Sequence, residues 1–318
     1  VENIMKVITD LIAPGHIDSG NPGPHVVITA GVHGDEYEPM LAAMELKNVL
    51  PGLLQSGRVT IIAVVNKSAY AAGNRLGDDG LDLARTCPGN PQGSVTEKIA
   101  DAVSKRIRAA DYFIDMHTGG RVYDIYPLAG YMLHPSAEVL EKQRSMAIAF
   151  NMPVVWGTDY RLQGRTLSVA RDSNVPAIYV EYGGGSVYRE NITAAYKQGC
   201  INVIKSLGMI ASAGGRKLSP QTKYKVEDHS KNSGYLQNKM HSPAKGIFIA
   251  DVKLGTIVKK SQVFGKIVDP ADGQIFSVKS DKNGLVFLLR ADSFVQKGDS
   301  LGGILPISKP GNVTIYGK

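Results

Sequence analysis

The chain has 318 residues, 43% hydrophobic and 20% charged, with 35 Gly and 16 Pro. This globular composition excludes a disordered, collagenous or coiled-coil protein. The formal net charge is +7, unevenly spread: residues 1–213 hold 19 Lys and Arg against 21 Asp and Glu, and residues 214–318 hold 17 against 8. Lysines of the basic third stand singly on strand-like segments, without the arginine clusters or interleaved aromatics of a nucleic-acid surface, so no nucleic-acid partner is expected. No apolar run reaches the roughly 18 residues a membrane span needs, so no membrane partner is expected either. Cys87 and Cys200 cannot build a disulfide framework and have no metal-type spacing. With no leader pattern visible, a cytoplasmic protein is expected.

In chain order, His25–Ala30 and Val59–Val65 are short, apolar and β-branched, which predicts strands covered on both faces. Between them, Met40, Leu41, Met44, Leu46 and Leu50 recur at helical spacing over Glu38–Leu50, stopping at Pro51-Gly52. Thr96–Arg108 predicts a helix with Ile99, Val103 and Ile107 on one face. Tyr112–Met116 reads as a strand, Ala137–Phe150 as a helix, Ala177–Glu181 as a strand and Asn191–Leu207 as a closing helix. Alternating strands and helices imply an α/β layered sheet.

Near Gly208 the texture changes. Ala211–Lys217 is small and polar, a linker in composition. Short strands follow at Gly246–Val252, Thr256–Val258, Val263–Val268, Gln274–Val278 and Gly284–Leu289, with Asp272-Gly273 and Asn283-Gly284 at corners. The predicted division is therefore 1–213, an α/β domain, and 214–318, a small all-β domain.

Four polar segments could carry chemistry. Gly31-Val32-His33-Gly34-Asp35-Glu36 follows a strand, at the carboxyl edge where open α/β sheets place ligands. His33 and Glu36 can be aimed at one point, as a pair that Zn²⁺ accepts; equally, they could form a polar turn whose acids suit the next helix's positive end. Asp115-Met116-His117-Thr118-Gly119-Gly120 ends another strand. His117 there is a third candidate ligand or a histidine bonded to a loop carbonyl, and Asp115 is a carboxylate supporting it or a strand-end polar group. Two His and one Glu leave one zinc position open, as catalytic sites do. Glu181 closes an apolar strand, costly unless hydrogen-bonded or working. It is a candidate general base or a solvated strand end. In the loop Asn74–Arg85, Arg75 and Arg85 could each grip a carboxylate with two hydrogen bonds, or simply solvate the surface.

Taken together, GVHGDEYEP at 31–39, DGLDLARTCPG at 79–89, DMHTGG at 115–120 and PAIYVEYGGG at 176–185 resemble the succinylglutamate desuccinylase/aspartoacylase family, over about residues 20–210. The resemblance implies a zinc-carboxypeptidase-like mixed-sheet α/β/α domain. It implies one zinc per chain on His33, Glu36 and His117, with Glu181 as base. It also implies Arg85 on the substrate carboxylate, and Arg75 polarising the scissile carbonyl or helping to fix substrate. The expected activity is removal of the N-acyl group from a small amino acid with a free carboxylate. Ala84 departs from the family's Asp-Leu-Asn-Arg, removing an amide from the pocket wall. Leu-Ala-Arg there is similar to the N-acetyl-diaminobutyrate deacetylase branch, so a bulkier or cationic substrate side chain is expected. The C-terminal region resembles the barrel-sandwich (biotinyl/lipoyl-like) fold but lacks Met-Lys-Met, which makes a lid or assembly domain, and a possible homo-oligomer, the expectation. The competing functions are a metallocarboxypeptidase acting on peptides and a non-enzymatic binding or carrier protein.

Overall fold

The computed structural model describes residues 13–211, 221–237 and 239–317. Apart from Ala211, the expected linker lies outside the described residues. The first part runs β1 (Gly15–Asp18), β2 (His25–Thr29), α1 (Tyr37–Val49), β3 (Arg58–Ile62), α2 (Lys67–Ala71), α3 (Leu83–Thr86), α4 (Val95–Arg108) and β4 (Tyr112–His117). It continues with β5 (Tyr123–Met132), α5 (Ala137–Phe150), β6 (Val154–Thr158), α6 (Thr166–Asp172), β7 (Ala177–Gly184) and α7 (Glu190–Ser206). Then come β8 (Tyr224–Asp228), β9 (Gly246–Ala250), β10 (Ile257–Val258), β11 (Val263–Val268) and β12 (Ile275–Lys279). The last strands are β13 (Gly284–Arg290), β14 (Phe294–Val295), β15 (Gly302–Leu305) and β16 (Val313–Tyr316).

Every helix and strand expected before Gly208 is present, within a few residues at its ends. Successive side chains of a buried strand face opposite layers, and each layer needs an apolar cover. Val26, Ile28, Ile61, Ile114 and Val180 enter one core, with Leu46 of α1, Phe150 of α5 and Tyr196 of α7. Val27, Ile62 and Phe113 enter the other, against Ile99, Val103 and Ile107 of α4. On α1, Met40 and Leu46 are buried but Leu41 and Met44 are exposed, so the buried stripe is narrower than the apolar pattern.

The sheet order is β1-β3-β2-β4-β7-β5-β6-β8-β16. β3, β2, β4 and β7 are parallel, and β5 runs antiparallel to β7. Strand β5 was not anticipated. Its pairing with β7 breaks between Ile125 and Leu128, around Pro127, which has no N–H to donate to a ladder.

The C-terminal residues depart from the expected appended module. Among the described residues, β8, β10, β13, β15 and β16 join the first sheet, and only β12-β11-β9-β14 form a separate antiparallel one. β13 pairs antiparallel with the first residues of β5, Leu288 opposite Ile125 and Arg290 opposite Tyr123. Phe248, Phe264 and Ile267 of the small sheet share a core with Val258, Val286 and Ile304 of the large one. The C-terminal third is thus hydrogen-bonded into the sheet that carries the polar motifs.

Candidate active site

Parallel strands deliver their polar ends to one edge of the sheet. His117 is the last residue of β4, in register with Glu181 of β7. His33 and Glu36 lie on the turn after β2. That turn needs Gly31, whose φ is +64°, and Gly34, where a Cβ would overlap the backbone of Ala69. The chain can therefore fold closely over the start of α2 and turn both side chains inward.

His33, Glu36 and His117 are buried and converge, with ligand atoms within 4.8 Å of one another. Glu36 Oε1 lies 2.7 Å from His33 Nδ1, and Oε2 lies 3.0 Å from His117 Nδ1. Burial alone would raise the Glu36 carboxyl, but the two histidines outweigh it and hold it well below the usual range. For His117, burial favours the neutral ring, while Asp115 and Glu36 reverse the sign and leave it raised. Two imidazoles and one carboxylate are a donor set that suits Zn²⁺ better than an oxygen-seeking cation.

Each histidine also meets a second acid through its other nitrogen. Asp115 Oδ2 is 3.1 Å from His117 Nε2, and Asp115 itself accepts from Thr29 Oγ1 at 2.6 Å and from Thr166. Asp115 is thus buried against the His117 ring rather than solvated at a strand end. Asp82 Oδ1 is 3.1 Å from His33 Nε2, and Asp82 Oδ2 accepts from Arg75 Nε and Nη2 at 3.1 and 3.0 Å. Asp82 lay inside a quoted motif and was not singled out; its two partners, His33 and Arg75, lie 49 and 7 positions away.

Glu181 stands beside the cluster with Oε2 out of contact with solvent and, among the described residues, without a hydrogen-bond partner. Burial is the main reason its carboxyl is pushed up to about 8; the His117 imidazole pulls the other way.

A cleft of about 250 Å³ runs from this cluster, lined also by Ala84, Arg85, Arg165, Tyr179 and Tyr235. Arg75 and Arg85 differ in what they contact. The Arg75 fork is taken by Asp82, and its Nη1 lies 3.5 Å from His33 Nδ1. Arg85 donates through Nη1 to the Ala84 carbonyl at 2.7 Å, and its guanidinium lies 5.1 Å from the Tyr235 ring centroid. Arg165 packs on the same ring at 4.8 Å. Arg165, Tyr179 and Tyr235 were not anticipated. Tyr235 lies beyond the linker, and no spacing in the sequence connects it to the motifs upstream.

The succinylglutamate desuccinylase/aspartoacylase catalytic domain matches residues 22–207. An N-alpha-acetyl-L-2,4-diaminobutyric acid deacetylase of Halomonas elongata is 30% identical over 90% of this chain and 83% of its own. Among solved structures, a succinylglutamate desuccinylase from Silicibacter sp. superposes with a TM-score of 0.83 at 22% identity, over 93% of this chain and 88% of the other. The product-bound ectoine utilization protein EutE (DoeB) of Ruegeria pomeroyi superposes at 0.82 with 25% identity, over 92% and 87%. The chain belongs to the succinylglutamate desuccinylase/aspartoacylase family. Its relatives are named as a deacetylase and as desuccinylases of N-acyl amino acids. Among the described residues, no helix is long and apolar enough to cross a membrane.

Proposed function

We propose that this protein is a zinc-dependent deacylase that hydrolyses the amide bond of a small N-acylated amino acid. The observation that carries the reading is one cleft holding the His33–Glu36–His117 cluster and, among the described residues, an unpartnered Glu181 oxygen beside it and an arginine, Arg85, with no carboxylate partner further along. Zinc held by the three ligands would supply Lewis acidity toward water and the acyl carbonyl. Glu181 removes a proton from the attacking water and returns it to the amine nitrogen as the C–N bond breaks. Arg75, fixed by Asp82 at the cluster end, faces the acyl carbonyl. Arg85 takes the free α-carboxylate and sets the distance from that anchor to the scissile bond.

The names of the relatives support an acyl-amino-acid substrate, and the limited cleft volume favours one over a peptide. The test is zinc-loaded protein assayed against N-acyl amino acids and against peptides with free C-termini. Turnover of the first alone is expected; efficient peptide cleavage would assign a carboxypeptidase instead.

A further inference from the structure

Strands β4 and β7 run side by side up to the register pair His117–Glu181, where their ladder ends. The residues just past Glu181 have little shape of their own. Gly183, Gly184 and Gly185 take φ values of +84°, +124° and +74°, and glycine gives up more conformational freedom on ordering than any other residue. The run is held from outside. The Gly119 N–H donates to the Gly183 carbonyl at 2.9 Å, and the Gly185 N–H to the Gly120 carbonyl at 2.7 Å. Arg189 Nη2 donates to the Gly184 carbonyl at 2.9 Å.

The hydroxyl of Tyr196 sits where the two strands part. It donates to the His117 carbonyl, and the Tyr182 carbonyl lies 3.3 Å from the same oxygen. One phenol thus touches the backbone of a candidate metal ligand and of the residue next to the candidate base. Its ring is fully buried on α7 and meets the Phe150 ring edge-on, with centroids 6.4 Å apart. Phe150 in turn occupies the space that a Cβ on Gly199 of the same helix would take. The hydroxyl is therefore presented from a packed helix and not from a loop. Phenylalanine would fill this core equally well, and a buried hydroxyl costs free energy unless it is bonded. What the oxygen adds is the tie between β4 and β7. Tyr196 is not among the residues that line the cleft, so any effect on the reaction passes through His117 and Glu181.

We propose that Tyr196 is a positioning residue whose hydroxyl fixes the spacing between the His117 imidazole and the Glu181 carboxylate. This rests on the deacylase reading, in which Glu181 takes a proton from water beside the His33–Glu36–His117 cluster. A displacement of about 1 Å between reacting groups can cost 10²-fold in rate. A group that never touches the substrate should act on kcat and leave KM alone.

The test compares the full zinc-loaded chain with Tyr196→Phe, which keeps the ring and removes the hydroxyl, and with Val203→Ala, a truncation on the same helix in the same core. On an N-acetyl amino acid that the wild type hydrolyses, Tyr196→Phe should lower kcat at least about tenfold, with KM changed less than about twofold and zinc content unchanged. Val203→Ala should lower the melting temperature and leave kcat as it is. A Tyr196→Phe variant that loses only melting temperature, that loses its zinc, or that changes KM alone would overturn the proposal. Hydrogen exchange gives a readout independent of turnover. Segments 117–120 and 182–185 should exchange faster in Tyr196→Phe than in the wild type, and no faster in Val203→Ala; equal exchange in wild type and Tyr196→Phe would also overturn it. If the wild type hydrolyses no acyl amino acid, the deacylase reading fails by itself and the exchange comparison still decides for the tie. If Tyr196→Phe does not fold, exchange of the Gly119 amide in the wild type decides: protection like that of the β4 core upholds the tie, and unprotected exchange removes it.

Discussion

Asp82 Oδ1 lies 3.1 Å from Nε2 of His33, while the same carboxylate's other oxygen receives the Arg75 fork. Asp82 also caps α3, accepting from the Ala84 N–H at 2.9 Å. One side chain thus fixes a candidate ligand, a candidate substrate arginine and the short helix that presents Arg85. Its carboxyl is held far below the usual range: burial opposes this, but His33 and Arg75 outweigh it. An outer carboxylate fixes the orientation of a ligating imidazole and raises its basicity, and losing one typically costs 10–100-fold in metal affinity. Asp82→Asn should therefore weaken zinc binding by about that factor in a chelator competition, and Asp115→Asn should do the same through His117. Unchanged affinity in both would dissociate these acids from the metal.

Elemental analysis should find about one zinc per chain in the wild type and none in His33→Ala or His117→Ala, because two remaining ligands do not make a structural or catalytic zinc site. Full occupancy in either variant would place the metal elsewhere.

Glu181 is in register with His117 but does not belong to the ligand cluster. Glu181→Gln should keep its zinc and lower kcat by about 10²–10⁴-fold, the range for a lost general base. The base works only when deprotonated, so kcat/KM should fall as the pH drops through its pKa. Burial lifts that pKa to about 8, and a cation nearby favours the carboxylate, so the acid limb belongs below 8 in the loaded protein. A pH profile of the Gln variant that kept this limb would assign the base to another group.

Arg85 has no acid partner within ion-pair distance among the described residues and faces the cleft. Arg85→Ala should reduce kcat/KM at least about tenfold on free acids. The α-amide of the same substrate should be poor for the wild type and little affected by the substitution. Equal wild-type rates on acid and amide would remove the carboxylate requirement.

Cys87 and Cys200 are free and buried. Burial pushes the Cys87 thiol up to about 12 and raises Cys200 as well. Since the thiolate is the reactive form, a disulfide reagent at pH 8 should label neither in the native protein and both in guanidinium. Rapid native labelling would show that one of them is reached without unfolding.

The sequence alone determined the layered α/β core, because buried strands and amphipathic helices announce themselves through the periods of their apolar residues. It also displayed His33, Glu36, His117 and Glu181, since each sits within or beside an apolar strand where a charged or titratable group is costly without a task. Their convergence was a different matter. Whether residues on three separate strands meet depends on strand order, and order is set by packing between elements remote in sequence. The same holds for Asp82, whose two partners lie 49 and 7 positions away. It holds for Tyr179, whose position requires the absence of a side chain at Gly130 on a neighbouring strand. Above all it holds for Tyr235. Residues after the linker look like a module of their own because their local pattern is all-β, but hydrogen bonding at a sheet edge is indifferent to sequence distance. Pairing of β13 with β5 and of β8 with β6 brings the C-terminal third to the cleft, where Tyr235 packs on both arginines.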